Sequence, residues 1–282
     1  MTAIHADDAV PRSFRPPPRR PGAGKSSQPR DTIAPRHGLA RVLSKRGIAS
    51  RSVAATWVLA GRVSVDGRIV TDPEFPVRID QAGLRLDGQP LAQAPPTYLM
   101  LNKPRGLVTS AADEQGRDTV YGCLGEELPW VGPVGRLDKA SEGLLLMSND
   151  PAWAARITDP ATGPAKTYHV QVGGRPDAGL LRRLQDGIDV DGQRLAAASV
   201  RELRAGDRNA WLEVVLDEGR NRQIRRLLAA VDLPVLRLVR VGIGGLALGD
   251  LPKGQWRPLS DTEIDALAPR GQPGVERGSF IR

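Results

Sequence analysis

The sequence predicts an α+β fold with a mixed or antiparallel central sheet, preceded by a small helix–helix–hairpin domain. Strand-like apolar segments outnumber helical ones and do not alternate with them one for one, which argues against a doubly wound sheet. Apolar residues make up 40% of the 282-residue chain, enough for a packed core, although aromatic residues contribute only 4%. This length fits about two domains of roughly 100–200 residues each.

The two ends of the chain are predicted to be tails. Residues 1–37 are rich in proline, arginine, glycine and serine and have no apolar periodicity, which is typical of disordered segments. They lack the apolar stretch of a secretory signal, and no later segment reaches the roughly 20 apolar residues of a membrane span. A single cysteine, Cys123, excludes an intrachain disulfide and fits a reducing compartment. We therefore expect a soluble, cytoplasmic protein, with residues 269–282 as a flexible C-terminal tail.

Residues 38–93 are predicted to form the small domain. Apolar residues at helical spacing indicate a first helix beginning near Leu39. A second helix follows, with Ser50 or Ser52 as its N-terminal cap. Residues 63–70 form two short apolar segments around an Asp-Gly pair, which is a strong hairpin signal. The order is therefore helix, helix, hairpin.

The larger domain is predicted over residues 97–268, after a short proline-rich linker. It begins with a buried strand that a proline ends. Apolar runs and periodicity predict the remaining elements. Strands are expected at 98–103, 143–147, 166–172, 210–216 and 235–241, and helices at 151–157, 178–185 and 221–230.

Basic residues are concentrated in two places, and the chain carries a net charge of +8. Between residues 37 and 66 there are five basic residues and no acidic one. Residues 219–241 contain six arginines and one aspartate. Such patches on folded domains favour a polyanionic partner, here RNA. The RNA contacts we predict are Arg41, Lys45, Arg46, Arg51, Arg62, Arg136, Arg220 and Arg222.

Asp138 is the first candidate for chemistry. It lies in a charged loop that begins with Gly135, just before a strand apolar enough to be buried on both faces. A carboxylate at the edge of a rigid strand is well held for catalysis. By spacing alone, an ordinary loop aspartate that caps a turn is the favoured interpretation.

Four segments resemble known families. "GRLDKASEGLLLMSND" is similar to the signature of the pseudouridine synthases that act on ribosomal RNA, which implies that Asp138 is the nucleophile. "AKTYHVQV" resembles the segment whose tyrosine, here Tyr168, stacks on the target base. "EGRNRQIRRLLAAV" resembles the motif whose arginine, here Arg225, pairs with the aspartate. "LARVLSKRGIASRSVAATWVLAGRVSVDGRIV" looks like the small RNA-binding domain named after ribosomal protein S-four. Without this resemblance, Tyr168 fits a core aromatic and the basic helix fits a phosphate-binding or solvated face.

The resemblance implies an isomerase acting on a flipped-out uridine. Uracil is detached from C1′ of its ribose, turned, and rejoined through C5. Whether the aspartate attacks C1′, attacks the base or initiates elimination stays open. No cofactor or metal is expected, since His5, His37 and His169 are widely spaced and no phosphate-binding glycine loop is present.

The leading hypothesis is a monomeric ribosomal RNA pseudouridine synthase with a role in ribosome biogenesis, with the large-subunit RNA preferred as target. The same reaction on small-subunit ribosomal RNA or on transfer RNA is an alternative. A non-catalytic ribosome-assembly factor that only binds ribosomal RNA is another, and the joint presence of Asp138, Tyr168 and Arg225 argues against it.

Overall fold

A computed structural model describes residues 35–110, 116–125 and 127–268. The predicted tails therefore fall outside the described residues, except for residues 35–37 of the N-terminal tail. There the prediction was wrong, because Arg36–Gly38 forms a strand, β1, whose backbone pairs with residues 76–78. An exposed strand edge supplies the hydrogen-bonding groups that order this polar segment.

The part of the chain before residue 91 contains the predicted helix, helix and hairpin in that order. Its elements are α1 (Leu39–Lys45), α2 (Arg51–Leu59), β2 (Val63–Val65), β3 (Arg68–Ile69), β4 (Pro76–Arg78), β5 (Leu84–Leu86) and β6 (Gln89–Pro90). Ser50 is the residue that caps α2, since its side chain accepts a hydrogen bond from the backbone N–H of Val53. Asp66 and Gly67, between β2 and β3, have φ values of 50° and 82°, as a tight hairpin turn of this kind requires.

The later part of the chain holds the remaining strands and helices. The strands are β7 (Tyr98–Lys103), β8 (Gly132–Val134), β9 (Glu142–Ser148), β10 (Lys166–Gly173), β11 (Ile188–Val190), β12 (Gln193–Leu195), β13 (Ser199–Ala205), β14 (Asn209–Leu216), β15 (Val235–Ile243), β16 (Leu246–Ala247) and β17 (Trp256–Pro258). The helices are α3 (Pro151–Thr158), α4 (Ala178–Asp186), α5 (Gln223–Ala229) and α6 (Asp261–Leu267), with a short 3₁₀ turn at Val120–Cys123.

Among the described residues, nine of these strands form one mixed sheet, in agreement with the predicted α+β class. The order is β13-β14-β10-β15-β9-β7-β17, with β16 beside β15 and β8 beside β9. The pairing of β15 with β9 is parallel and the other pairings in this sheet are antiparallel. Every residue of β9 is buried. The loop that carries Asp138 thus leads into the best-protected strand of the sheet.

Gly143 allows β9 and β15 to approach each other. Its φ is +102°, and a Cβ at this position would lie 2.3 Å from the carbonyl oxygen of Arg240. Only glycine tolerates both the backbone conformation and this contact. The parallel pairing therefore brings Arg240 beside the strand that follows Asp138.

Apolar clusters fix the helices against this sheet. Leu184 of α4 and Leu227 of α5 pack with Val170 of β10 in one buried cluster. Trp153 of α3 and Ile264 of α6 pack in a second one. None of the described helices is both long and apolar enough to cross a membrane.

Candidate active site

Six of the residues predicted to act in chemistry or RNA binding line one cavity of about 800 Å³. These residues are Asp138, Tyr168, Arg225, Arg136, Arg220 and Arg222. They come from the loop before β9, from strand β10 and from the start of α5. The sheet order places β10 and β9 on either side of β15, so segments far apart in sequence meet at the same cavity.

Lys103, the last residue of β7, holds the Asp138 loop in place. The Lys103 ammonium group donates hydrogen bonds to the carbonyl oxygens of Ser141 at 2.8 Å and Asp138 at 3.3 Å. Lys103 is fully buried, and this burial lowers its pKa from the usual range to about 8. A buried cation is thus used to fix the backbone on both sides of the turn.

Further donors fix the same loop. The Thr109 hydroxyl donates to the carbonyl oxygen of Leu137 at 2.8 Å. The backbone N–H of Gly106 donates to the carbonyl oxygen of Lys139 at 2.8 Å. The Arg225 guanidinium donates to the carbonyl oxygen of Ala140 at 3.2 Å. These contacts preorganise the carboxylate before substrate arrives, which is what an active site built on a loop requires.

Two arginines face the Asp138 carboxylate. Arg222 Nη1 donates to Oδ2 at 3.2 Å, whereas Arg225 Nε lies 3.9 Å from the same oxygen. The Arg222 distance is that of a hydrogen bond, whereas the Arg225 distance is that of an ion pair without a hydrogen bond. The side chain of Arg222 is 51% exposed and that of Arg225 is 16% exposed. The sequence therefore identified Arg225 as a partner of the aspartate but missed that Arg222 lies closer.

Arg222 has an unusual backbone. It precedes α5 with φ 49° and ψ 30°, in the left-handed region. This conformation is uncommon for a residue other than glycine and concentrates at functional sites. It turns the chain so that Arg222 and Arg225 approach one carboxylate from a single helix start.

Tyr168 lines the cavity from strand β10. Its cross-strand neighbours are Val214 on one side and Arg240 on the other. The ring packs against the apolar clusters on both sides of it and stays partly accessible. A partly accessible aromatic face on a rigid strand is suited to stacking on a base, which stays a prediction.

The arginines at the cavity differ in what else they contact. Arg136 is exposed at the cavity lining. Arg220 pairs with Glu218 at 2.8 Å and donates to the carbonyl oxygen of Arg194 at 2.9 Å. Arg136 is therefore the more available of the two for a phosphate.

Arg46 corrects one predicted RNA contact. It is 8% exposed, and its guanidinium donates to the backbone oxygens of Ile79 and Gln81. These carbonyls belong to the loop after β4, so Arg46 holds the small domain together. A window of sequence around Arg46 gives no sign of these distant acceptors.

The other basic residues of the small domain stay at its surface. Arg51 pairs with Glu74 at 2.9 Å, and Arg62 pairs with Asp87 while lying 5.7 Å from the ring centre of Trp57. The acidic partners come from beyond residue 66, so the patch is less positive than its sequence window indicated. Arg41 is exposed and Lys45 half-buried. Their RNA roles stay predictions.

Lys45, Arg41 and His37 form one group at the start of the small domain. Lys45 Nζ lies 3.3 Å from His37 Nε2. Desolvation, followed by the positive charges of Lys45 and Arg41, lowers the pKa of His37.

Several residues of the site were not predicted from the sequence. They are Lys103, Thr109, Ser141, Lys166 and Arg240. The signal for Lys103 was present, since a lysine in an otherwise apolar buried strand needs a buried acceptor. Within the described ranges, no cluster of three or more histidine, cysteine, aspartate or glutamate side chains could hold a metal ion.

Comparisons with known proteins agree with this geometry. The family model described as RNA pseudouridylate synthase matches residues 97–230, and that of the S4 domain matches residues 38–82. An uncharacterized RNA pseudouridine synthase of Mycobacterium tuberculosis is 38% identical over 252 residues, or 86% of this chain and 97% of the relative.

A relative with an assigned target and a solved structure are also similar. The ribosomal large subunit pseudouridine synthase B of Bacillus subtilis is 33% identical over 232 residues, covering 81% of this chain and 94% of that protein. A crystal structure of a pseudouridylate synthase is 28% identical with a TM-score of 0.58, covering 82% of this chain and 99% of the other.

Proposed function

The chain belongs to the RNA pseudouridine synthase family, and we propose that it converts a specific uridine of large-subunit ribosomal RNA to pseudouridine with Asp138 as nucleophile. Membership makes it an isomerase with an RNA substrate, attached to a small RNA-binding domain. The nucleophile and the identity of the RNA go beyond family membership. The arrangement of the cavity supports the nucleophile, and a similar protein of Bacillus subtilis supports the identity of the RNA.

One observation carries the assignment of the nucleophile. Asp138 lies on a preorganised loop in the cavity, with Arg222 Nη1 at 3.2 Å and Arg225 Nε at 3.9 Å from the same carboxylate oxygen. Two guanidinium groups at these distances attract the carboxylate and help to fix its position. An ionised carboxylate is the form that can attack an electron-poor carbon.

Besides Asp138, the described residues that line the cavity include one carboxylate, Glu218, and this group is already hydrogen-bonded. Glu218 accepts hydrogen bonds from Arg220 at 2.8 Å and from Gln223 at 2.6 Å. Hydrolysis of sugar–oxygen bonds needs a second carboxyl group that can protonate the leaving alkoxide. Uracil carries its departing charge on its own carbonyl groups, so a single available carboxylate fits a nitrogen-linked base.

The remaining residues fit the handling of a flipped nucleotide. The cavity of about 800 Å³ has room for one nucleoside removed from its stack. Tyr168 offers its ring as a platform for the base, and exposed Arg136 lies where the RNA backbone would enter. Extruding a nucleotide costs a few kcal/mol, which phosphate contacts offset.

The choice of ribosomal RNA rests on a relative. The Bacillus subtilis protein named as a large-subunit ribosomal enzyme covers 81% of this chain. The alignment also spans 94% of that protein, which supports a common type of substrate. Small-subunit ribosomal RNA and transfer RNA are the competing targets, and a binding factor without activity is the competing class of protein.

The experiment uses the purified full chain and three RNA preparations. Transcripts of large-subunit ribosomal RNA, small-subunit ribosomal RNA and transfer RNA carry tritium at C5 of every uridine, which is released when pseudouridine forms. We expect release of about one equivalent from the large-subunit transcript alone. The modified position is then mapped by chemical blocking of pseudouridine and primer extension.

Each other outcome contradicts a stated part of the proposal. Release from the small-subunit or transfer RNA transcript alone would contradict the choice of target. Tight binding of the large-subunit transcript with no release from any RNA, including native particles lacking the modification, would favour an assembly factor.

A further inference from the structure

The unpaired buried side-chain polar atoms of the described residues are concentrated at the cavity. Three buried side-chain atoms of the described residues lack a hydrogen-bond partner, namely Ser141 Oγ, Arg225 Nε and Arg240 Nη2. All three residues line the same cavity. Buried polar groups in proteins are nearly always paired, so a cluster of unpaired ones marks a place where a polar ligand completes the hydrogen bonding.

Arg240 is the member of this group with a full charge. It is 5% exposed, and its Nε donates to the carbonyl oxygen of Leu144 at 2.7 Å. Among the residues that the structure describes, no carboxylate lies within 4.0 Å of its guanidinium. A buried charge is stable only when it is paired and hydrogen-bonded. Arg240 therefore lacks the anion that its position requires.

The position of Arg240 suits contact with the base of a bound nucleotide better than contact with the RNA backbone. It is the cross-strand neighbour of Tyr168 on the adjacent strands β15 and β10, and such neighbours have Cβ atoms about 4.5–5.5 Å apart. Apolar Leu238 and Ile243 line the same part of the cavity. Phosphates carry full charge and suit the exposed arginines at the lining, whereas a flat base can enter this buried region.

Lys166 adds a second cation to this region. It begins β10, two residues before Tyr168, and it lines the cavity. Burial, and next the positive charge of Arg240, lower the pKa of Lys166, whereas the negative charge of Asp217 raises it. Lys166 has no carboxylate within 4.0 Å among the described residues. Two cations that line one cavity, neither of them in a carboxylate ion pair among the described residues, favour a ligand that becomes anionic.

We propose that Arg240, assisted by Lys166, binds a carbonyl oxygen of the target uracil and stabilises the negative charge that the base acquires during the reaction. This inference rests on the proposed function. The charge arises because Asp138 bonds to C1′ while the N1–C1′ bond breaks with its electron pair on uracil, which spreads the charge over N1 and the two carbonyl oxygens. C5 of the uracil anion then bonds to C1′ and expels Asp138 as a carboxylate. The C5 proton passes to solvent, and N1 takes up a proton.

Arg240 is on this proposal a catalytic residue, since it touches the reacting base. A donor aimed at developing negative charge in a dry site accelerates a reaction about 10²–10³-fold. Contact with O4 would also favour uracil over cytosine, because cytosine carries an amino group, a hydrogen-bond donor, at that position.

The test measures the chemical step apart from binding. R240Q, R240K, wild type and the control R201Q are compared with large-subunit transcript tritiated at C5, under single-turnover conditions with the enzyme in excess. Arg201 is an exposed arginine of β13 outside the cavity, so R201Q removes one positive charge without touching the site. Filter binding at several salt concentrations gives affinity, and thermal melting reports folding.

We expect R240Q to release tritium about 10²–10³-fold more slowly than wild type at saturating enzyme. R240K keeps a cation and should retain clearly more activity than R240Q. Affinity and its salt dependence should match those of R201Q. Because R240K and R240Q both lose the Leu144 hydrogen bond, equal losses of rate and of melting temperature in the two variants would assign Arg240 a structural role and overturn the proposal.

Two further outcomes also overturn it. Weaker binding with a salt slope smaller by about 0.7, at an unchanged saturating rate, would place a phosphate at Arg240. An unchanged rate in R240Q would remove the residue from the reaction. If wild type itself released no tritium, the proposed function would fail, which is a different result from failure of the Arg240 assignment alone.

Discussion

At the residue scale, the Asp138 loop depends on a buried lysine. Lys103 donates to the carbonyl oxygens of Pro104, Asp138 and Ser141, so its ammonium group fixes the loop at both ends. A displacement of about 1 Å in a reacting group can cost 10²-fold in rate. The role of Lys103 is therefore to position the carboxylate without contacting substrate.

The variant K103M tests this role. It keeps most of the side-chain volume but none of the three hydrogen bonds, and we expect kcat to fall about 10²-fold. The wild-type rate should also decrease as the pH rises above about 8, the pKa of Lys103, because the neutral amine has one proton too few for three acceptors. K103M should lack this decrease. A K103M profile that still falls near pH 8 would contradict the assignment.

Arg222 and Arg225 are expected to have separable roles. Arg225 is 16% exposed and also holds the Ala140 carbonyl, whereas Arg222 is 51% exposed. We expect R225Q to lower the saturating rate about 10²–10³-fold with little change in affinity. R222Q should lower affinity and reduce the salt slope by about 0.7, as loss of one contact to single-stranded RNA does. Kinetics and salt titrations on both variants test this. A lower saturating rate in R222Q together with a smaller salt slope in R225Q would contradict it.

The positions of three motif residues agree with the sequence prediction, whereas their roles stay predictions. Asp138, Tyr168 and Arg225 were predicted from recognisable motifs, and all three line the cavity. Lys103 and Arg240 were not, because their importance comes from acceptors or missing partners on other strands. Arg46 was misassigned for the same reason, since its acceptors at Ile79 and Gln81 are more than 30 residues away in the chain.

At the scale of elements, helix α6 depends on one glutamate. Glu263 accepts hydrogen bonds from the Ser260 backbone in a capping box and from Arg257 at 2.7 and 2.9 Å. The Arg257 hydrogen bonds lower the pKa of Glu263 to about 2 from its usual value near 4.5. A carboxyl whose pKa is lower in the folded state stabilises the fold above the unfolded pKa and loses that effect as the pH falls.

We therefore expect E263Q to lower the melting temperature at pH 7, by the equivalent of about 0.5–1 kcal/mol for a partly exposed ion pair and cap. The difference from wild type should shrink as the pH falls from about 4.5 to about 2, where Glu263 becomes protonated. Thermal melting of both proteins over this pH range measures it. A difference that stays constant with pH would contradict the linkage.

Elements with strong local patterns were predicted and others were missed. The strands β7, β9, β10, β14 and β15 and the helices α3, α4 and α5 lie within a few residues of their predicted positions. The edge strands β13 and β17 and helix α6 were not predicted. Exposed residues dominate β13, so it shows little apolar alternation, and β17 is only three residues long. Their pairing partners, which define them, are distant in sequence.

At the scale of the molecule, RNA affinity is expected to come from both parts of the chain. Arg41, Lys45 and Arg51 lie at the surface of the small domain, and the cavity carries its own arginines. The triple variant R41Q/K45Q/R51Q should bind large-subunit RNA more weakly, with a salt slope smaller by up to about 2. Its saturating rate should stay near wild type, because these residues lie outside the cavity.

A matched control variant removes three positive charges from another part of the protein. Arg175, Arg182 and Arg183 are exposed near or on α4, and R175Q/R182Q/R183Q should keep most of the wild-type slope. Equal losses of slope in the two triple variants would mean that net charge alone, rather than the small domain, determines RNA binding.

Replacing Asp138 by asparagine tests its role as the nucleophile. D138N keeps the size of the side chain and removes the charge that Arg222 and Arg225 face. With large-subunit transcript tritiated at C5, we expect tritium release to fall by at least roughly 10⁴-fold, the scale of losing a nucleophile, while RNA affinity stays nearly unchanged. Release by D138N within tenfold of wild type would contradict Asp138 as the nucleophile of this enzyme.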